Sequence, residues 1–173
     1  MRIGAAILSA LLMSPAAVWA QQSQESDIVM IGPWEIQVTY KAGKFDNCVM
    51  SRTVGDITVA FVRPDDGLAL ALFSPKWKLE QGKSYPVQLV VGSLSVEAKA
   101  TAETTKNVSI VLADKKLIEG IRIANQIEVQ GAGSTIRVPL EKSAMAMDRL
   151  EACFEKNSRT VETNPFVAPS RKP

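Results

Sequence analysis

The sequence predicts a mainly β protein: an antiparallel sandwich or barrel of about eight or nine short strands, with a C-terminal helix stapled on by one disulfide. Three observations lead there. Short apolar segments alternating with period two recur along the chain, separated by turns rich in Gly, Pro and Asp. The region after an export-type N-terminus carries two cysteines, Cys48 and Cys153, near the two ends of one domain. The last patterned segment shifts to helical spacing and contains Cys153.

Residues 1–20 read as a cleavable signal peptide. Arg2 supplies the positive start, Ile3 to Met13 is apolar, Ser14-Pro15 breaks the run, and Val18-Trp19-Ala20 fits signal peptidase. The apolar run is shorter than the roughly 20 residues a permanent span needs. No cysteine follows the cleavage point, so a lipid anchor is not expected. Residues 21–32 read as a polar leader into the first strand.

The domain is expected over residues 33–156. Trp34, Ile36, Val38 and Tyr40 alternate with Glu35, Gln37 and Thr39, the pattern of a half-buried strand. After the turn Ala42-Gly43-Lys44, Asn47 to Val54 forms a second strand carrying Cys48. Gly55-Asp56 turns into Ile57 to Val62, whose β-branched residues favour a third. Pro64-Asp65-Asp66-Gly67 is a turn, with proline pre-setting φ and glycine accepting a positive one. Leu68 to Phe73 is too short for a helix between its breakers and reads as a buried strand. Trp77-Lys78-Leu79 is a brief alternating piece, followed by the turn Gln81-Gly82-Lys83. Tyr85–Val91 and Leu94–Thr101 form a hairpin about Gly92-Ser93, a type II′ turn. In its second arm Leu94, Val96, Ala98 and Ala100 face in, while Ser95, Glu97, Lys99 and Thr101 face out, which implies a solvated sheet face.

Val108 to Leu112 is a further strand. Asp114 caps a short helix with Leu117, Ile118, Ile121 and Ala124 on one face, weakened by Gly120. Gln126–Gln130 and Thr135–Leu140 form another hairpin about Gly131-Ala132-Gly133. Ser143 is expected to cap the last helix, whose Met147, Leu150 and Phe154 share a stripe with Cys153 one position off it. Residues 157–173 are polar, punctuated by Pro165, Pro169 and Pro173, and are expected to be disordered.

Without Arg2 the chain has 19 basic against 18 acidic residues, because the whole holds 20 and 18. With no block of like charge, nucleic acid and anionic membranes are poor partners. Two cysteines in an oxidising compartment are most simply one disulfide. Closing a loop of about 100 residues removes about 4–5 kcal/mol of unfolded-chain entropy. No C-x-x-C spacing suggests redox activity.

The chain has no histidine, which removes Ser-His-Asp and Cys-His catalysis and imidazole metal sites. G-x-S-x-G, S-x-x-K, P-loop and G-x-G-x-x-G motifs are also missing. Asp65-Asp66 is the one conspicuous carboxylate pair, and its Pro and Gly flanks favour a solvated turn over a glycosidase dyad. The turn lacks the spacing of a calcium loop, so neither metal nor cofactor is expected. Trp34 and Tyr85 sit on apolar strand faces and are expected in the core. Trp77, between Lys76 and Lys78, is the better candidate for an exposed aromatic. A binding surface is therefore assigned to Trp77, Lys76, Lys78, Asp65 and Asp66. Met145 and Met147 offer an adaptable contact on the last helix, with core packing the default. Asn107-Val108-Ser109 matches the glycosylation sequon, and its place at a strand start is expected to leave it accessible.

The layout resembles small exported alphaproteobacterial proteins of unknown function. The shared features are Trp34 opening the domain, Cys48 soon after, the Trp77…Tyr85 segment, and Pro139-Leu140 leading into a helix that ends Leu150-Glu151-Ala152-Cys153. The resemblance covers roughly residues 34–154. It implies a periplasmic location and a single disulfide, and it transfers no catalytic residue. The sequence reading is thus an exported, non-enzymatic protein: an accessory factor, complex subunit or inhibitor whose partner is another envelope or secreted protein. The loops Arg63–Gly67 and Ser74–Lys78, or the C-terminal tail, would supply its contacts. The alternative is a small-ligand or glycan-binding module using a sheet face and Trp77. A carboxylate hydrolase comes third.

Overall fold

The computed structural model describes residues 28–158. The expected signal peptide, most of the leader and nearly all of the tail lie outside the described residues. The elements are β1 (Val29–Ile31), β2 (Trp34–Lys41), β3 (Lys44–Val54), β4 (Ile57–Arg63), β5 (Ala69–Phe73), β6 (Ser84–Val91), β7 (Leu94–Ala102), β8 (Asn107–Val111), α1 (Lys115–Ile123), β9 (Gln126–Gln130), β10 (Thr135–Pro139) and α2 (Ser143–Ser158).

All ten strands belong to one antiparallel sheet, in the order β1-β2-β3-β4-β5-β8-β7-β6-β9-β10. The choice between sandwich and barrel resolves into a single sheet that curls without closing. Two hydrogen bonds show the curl. The Trp34 indole N–H on β2 donates to the Glu141 carbonyl at 2.8 Å, just past β10. Arg52 on β3 donates to the Pro139 carbonyl at 2.9 Å. In a flat sheet β2 and β10 would lie roughly 38 Å apart at about 4.8 Å per strand. The accumulated twist of many strands brings them together, but β1 and β10 remain unpaired edges.

Alternation decides what the curl encloses. Ile36, Met50, Phe61, Leu70 and Ile110 lie on successive neighbouring strands and are all essentially inaccessible. The same buried face continues across β7, β6 and β9 with Ala100, Leu89 and Val129. Both helices sit on this inner face. On α1 Leu117 and Ile121 are buried, and a methyl at Gly120 would meet Val91 of β6 at 3.1 Å. Glycine there costs the helix about 1 kcal/mol against alanine, and it lets α1 lie close against β6. On α2 the buried residues are Ala146, Met147, Leu150 and Cys153, so Cys153 lies within the apolar stripe. It is bonded to Cys48 of β3, with Cα atoms 6.2 Å apart and a sequence separation of 105.

Several local expectations hold in detail. Asp114 caps α1, its carboxylate accepting from the Leu117 N–H at 3.0 Å. Gly92 turns the β6–β7 hairpin with φ 58° and no positive φ at Ser93, as a type II′ turn requires. Other expectations are corrected. Val29–Ile31, assigned to the leader, pairs with β2 and raises the strand count to ten. Tyr40 is exposed rather than in the core; it lies near the end of β2, where the register against β3 slips between Thr39 and Tyr40. Trp77-Lys78-Leu79 is loop, not strand. Ser143 does not cap α2: it is the first helical residue, buried, and its hydroxyl donates at 2.8 Å to the Ile121 carbonyl of α1. That bond ties the two helices together.

Candidate binding cleft

The loop after β5 is built to hold Trp77 in place. Ser74 is buried, its N–H donating to the Lys106 carbonyl at 3.0 Å. The Ser74 hydroxyl accepts from the Lys76 N–H at 3.3 Å and donates to the Asp56 carboxylate at 3.4 Å. The Trp77 N–H donates to the Ser74 carbonyl at 3.3 Å, closing a tight turn. Lys106, in the β7–β8 connection, donates its ammonium at 2.6 Å to both the Pro75 and Trp77 carbonyls. The Leu79 N–H donates to the Thr105 carbonyl at 3.0 Å. Trp77 is accordingly half-buried against the core rather than free, which corrects the expectation of an exposed aromatic.

Behind Trp77 the inner face of the sheet is left uncovered by the helices. It forms a cleft of about 310 Å³ walled by Trp77, Leu79, Tyr85, Val87, Val129 and Ile136, with the β9–β10 turn, Gly131 to Ser134, at its rim. No charged side chain lines it. Tyr85 reaches it from β6 and is steadied by its hydroxyl, which accepts from the Glu80 N–H at 3.2 Å. Lys76 and Lys78 are exposed beside Trp77, and Lys76 pairs with Asp56 at 3.2 Å. That hydrogen bond from Lys76 holds the Asp56 carboxyl below its ordinary pKa.

The assigned binding residues divide between two places. Trp77, Lys76 and Lys78 follow β5, whereas Asp65 and Asp66 precede it, in an exposed turn closed by the Gly67 N–H on the Pro64 carbonyl. Five residues of strand put them roughly 17 Å apart at about 3.3 Å per residue. Beside Asp66 lies a second groove of about 600 Å³, between the β4–β5 turn and the helices. Its floor includes Leu112, Ile118 and Met147. Its walls carry two ion pairs, Arg63–Glu151 at 3.0 Å and Arg122–Asp148. Met145, by contrast, is exposed on α2. Asn107 of the sequon is half-buried, its amide oxygen accepting from the Thr104 hydroxyl at 2.6 Å.

Sequence reasoning found Trp77 but assigned Tyr85 to the core and missed Val129, Ile136 and the Gly131–Ser134 rim. The inward alternation of Tyr85 and Val87 was legible. The pairing of β6 with β9, which brings the rim to Tyr85, is a long-range contact that no local pattern encodes. Among the described residues no group of three His, Cys, Asp or Glu is placed to hold a metal ion, and no helix is long and apolar enough to cross a membrane.

Fold and cleft define a class: a curled, open antiparallel sheet backed by two helices, stapled by a disulfide, with an apolar cleft at one end. No protein-family model, curated protein or solved structure matches the chain.

Proposed function

We propose that this chain is an exported, non-enzymatic binding protein whose cleft behind Trp77 holds a small, uncharged, apolar group. The cleft carries this reading. Its volume of about 310 Å³ lies at the lower end of ligand sites, roughly 300–1,000 Å³. Its uncharged lining gives a charged ligand nothing to offset lost hydration. Trp77 and Tyr85 offer broad apolar faces to a ring or short aliphatic group. The anchored loop means that little ordering has to accompany binding.

One further observation supports the reading. The disulfide fits an oxidising, extracytoplasmic compartment, as the signal-like N-terminus expects.

The test is a thermal-shift and tryptophan-fluorescence screen of the purified chain against neutral aromatic and short aliphatic compounds. Expected are a rise in Tm by mass action and a change in Trp77 emission, both lost in Trp77→Ala while the far-ultraviolet circular dichroism is kept. A flat response across the panel sinks the proposal.

The interaction reading is favoured by the second groove, whose apolar floor between opposite charges suits a segment of another envelope protein. A photo-crosslinker at Ile118 capturing one envelope protein, with loss of capture in Arg63→Glu, would support it. Equal capture by both would remove it.

A further inference from the structure

The outer face of the sheet carries a second surface, independent of the cleft. Strands buried on both faces read as continuous apolar runs, whereas strands with one wet face alternate. β4 (Ile-Thr-Val-Ala-Phe-Val-Arg) and β5 (Ala-Leu-Ala-Leu-Phe) read as the former, and β7 as the latter. Yet both helices lie on the inner face, since α2 is bonded to inward Cys48 and α1 packs on inward Val91. Among the described residues no helix covers the outer side of β4 and β5.

Register shows how far this uncharged face extends. Val49, Val62, Ala69 and Val111 stand opposite one another across β3, β4, β5 and β8. The next outward row, Ser51, Ala60, Ala71 and Ser109, is small, and the third is Thr53, Thr58, Phe73 and Asn107. No outward position of these strands from Val49 to Thr53, Thr58 to Val62, Ala69 to Phe73 or Asn107 to Val111 is charged. Val111 is 74% exposed and Phe73 43%. Charge resumes on the flanking strands, with Glu35 on β2 and Glu97 and Lys99 on β7.

The two loops that flank β5, one at each end of this face, carry exposed charges of opposite sign. Asp65 and Asp66 stand at the end beside Val62 and Ala69. Lys76 and Lys78 stand at the end beside Phe73, where Lys76 already holds Asp56. We propose that this face binds a second copy of the chain, sheet on sheet, about a twofold axis that reverses the strand direction. That operation lays the acidic turn of each copy over the lysine loop of the other, twice, as an isologous interface requires. The alanine row at the centre lets the sheets approach to the usual spacing of about 10 Å. Four strands by five residues give roughly 320 Å² of flat contact, against about 800 Å² per partner in a standard interface. The uncharged face is thus the core of the contact and the charged ends form its rim, so the dimer is reversible and weakened by salt.

Sedimentation velocity of the full chain, at rising concentration and in low and high salt, tests this. The expected result is a doubling of mass that salt reverses. Ala71→Glu, at the centre, and Val111→Asp, at an exposed position with little folding cost, both abolish it with circular dichroism unchanged. Lys76→Glu with Lys78→Glu weakens dimerisation by at least about tenfold, and adding Asp65→Lys with Asp66→Lys restores it. A chain that stays monomeric overturns the proposal, whether its own terminal segments or another protein covers the face. A dimer that survives Ala71→Glu and Val111→Asp overturns it too, because a different surface is then in use.

Discussion

Trp34 has the largest side chain fully withdrawn from water, and it also joins the two ends of the sheet. Its ring packs on Phe61 with centroids 5.8 Å apart, and the Arg52 guanidinium lies over it at 5.3 Å. Trp34→Phe keeps an apolar ring but strips the Glu141 carbonyl of its donor. Glu141 is itself exposed, and a hydrogen bond of this kind has a net worth of about 0.5–1.5 kcal/mol, so we expect a loss of that size in denaturant unfolding. No change in midpoint would mean that the curl is held elsewhere. Position along the strand made Trp34 legible as a core residue. Its hydrogen bond, 107 residues away in sequence, was not.

At the scale of elements, the staple and the loop each hold one part in register. Cys48 and Cys153 fix α2 to β3, and Phe154 extends the contact by packing on Phe45, centroids 5.9 Å apart. We expect Cys48→Ser and Cys153→Ser to behave alike, each losing up to about 4–5 kcal/mol in the loop-closure picture, with reductant lowering the wild-type Tm to match. Free thiols in the purified protein would contradict this. The Trp77 loop depends on one ammonium instead. Lys106→Met leaves the Pro75 and Trp77 carbonyls without their donor. A stability loss of about 1–2 kcal/mol is expected, with faster hydrogen exchange at the Leu79 amide. Unchanged exchange there would show that the backbone bonds suffice. Helix and strand identities were largely visible from period and caps. The misassignments at Tyr40 and Ser143 fall at a register slip and at a helix–helix bond, neither of which local pattern shows.

For the whole molecule, the chain has no side chain whose ordinary pKa falls between pH 5 and 8, because it has no histidine. Stability should therefore be flat across that window. Below it, two surface groups contribute with a definite sign. Glu128 is held down by Gln130 and then by Arg137, and Asp56 by Lys76. A lowered folded-state pKa gives stability that is present above the unfolded value and lost as pH falls through the folded one. Tm followed from pH 8 downward should be level and then fall in the acid range. Gln130→Ala should shift the Glu128 part of that fall to higher pH, and a sloping profile between pH 5 and 8 would contradict the assignment. The sequence by itself determined the strand content, the turns, the cap on α1, the cysteine pair and the lack of histidine chemistry, because each rests on residues a few positions apart or on composition. Only the tertiary structure decided that the strands form one open, curled sheet, that Trp77 closes an apolar cleft against Tyr85 and Ile136, and that Asp65 and Lys76 mark opposite ends of an uncharged outer face. Those facts depend on which strand pairs with which, and hydrogen bonds between backbones far apart in sequence leave no local pattern to read.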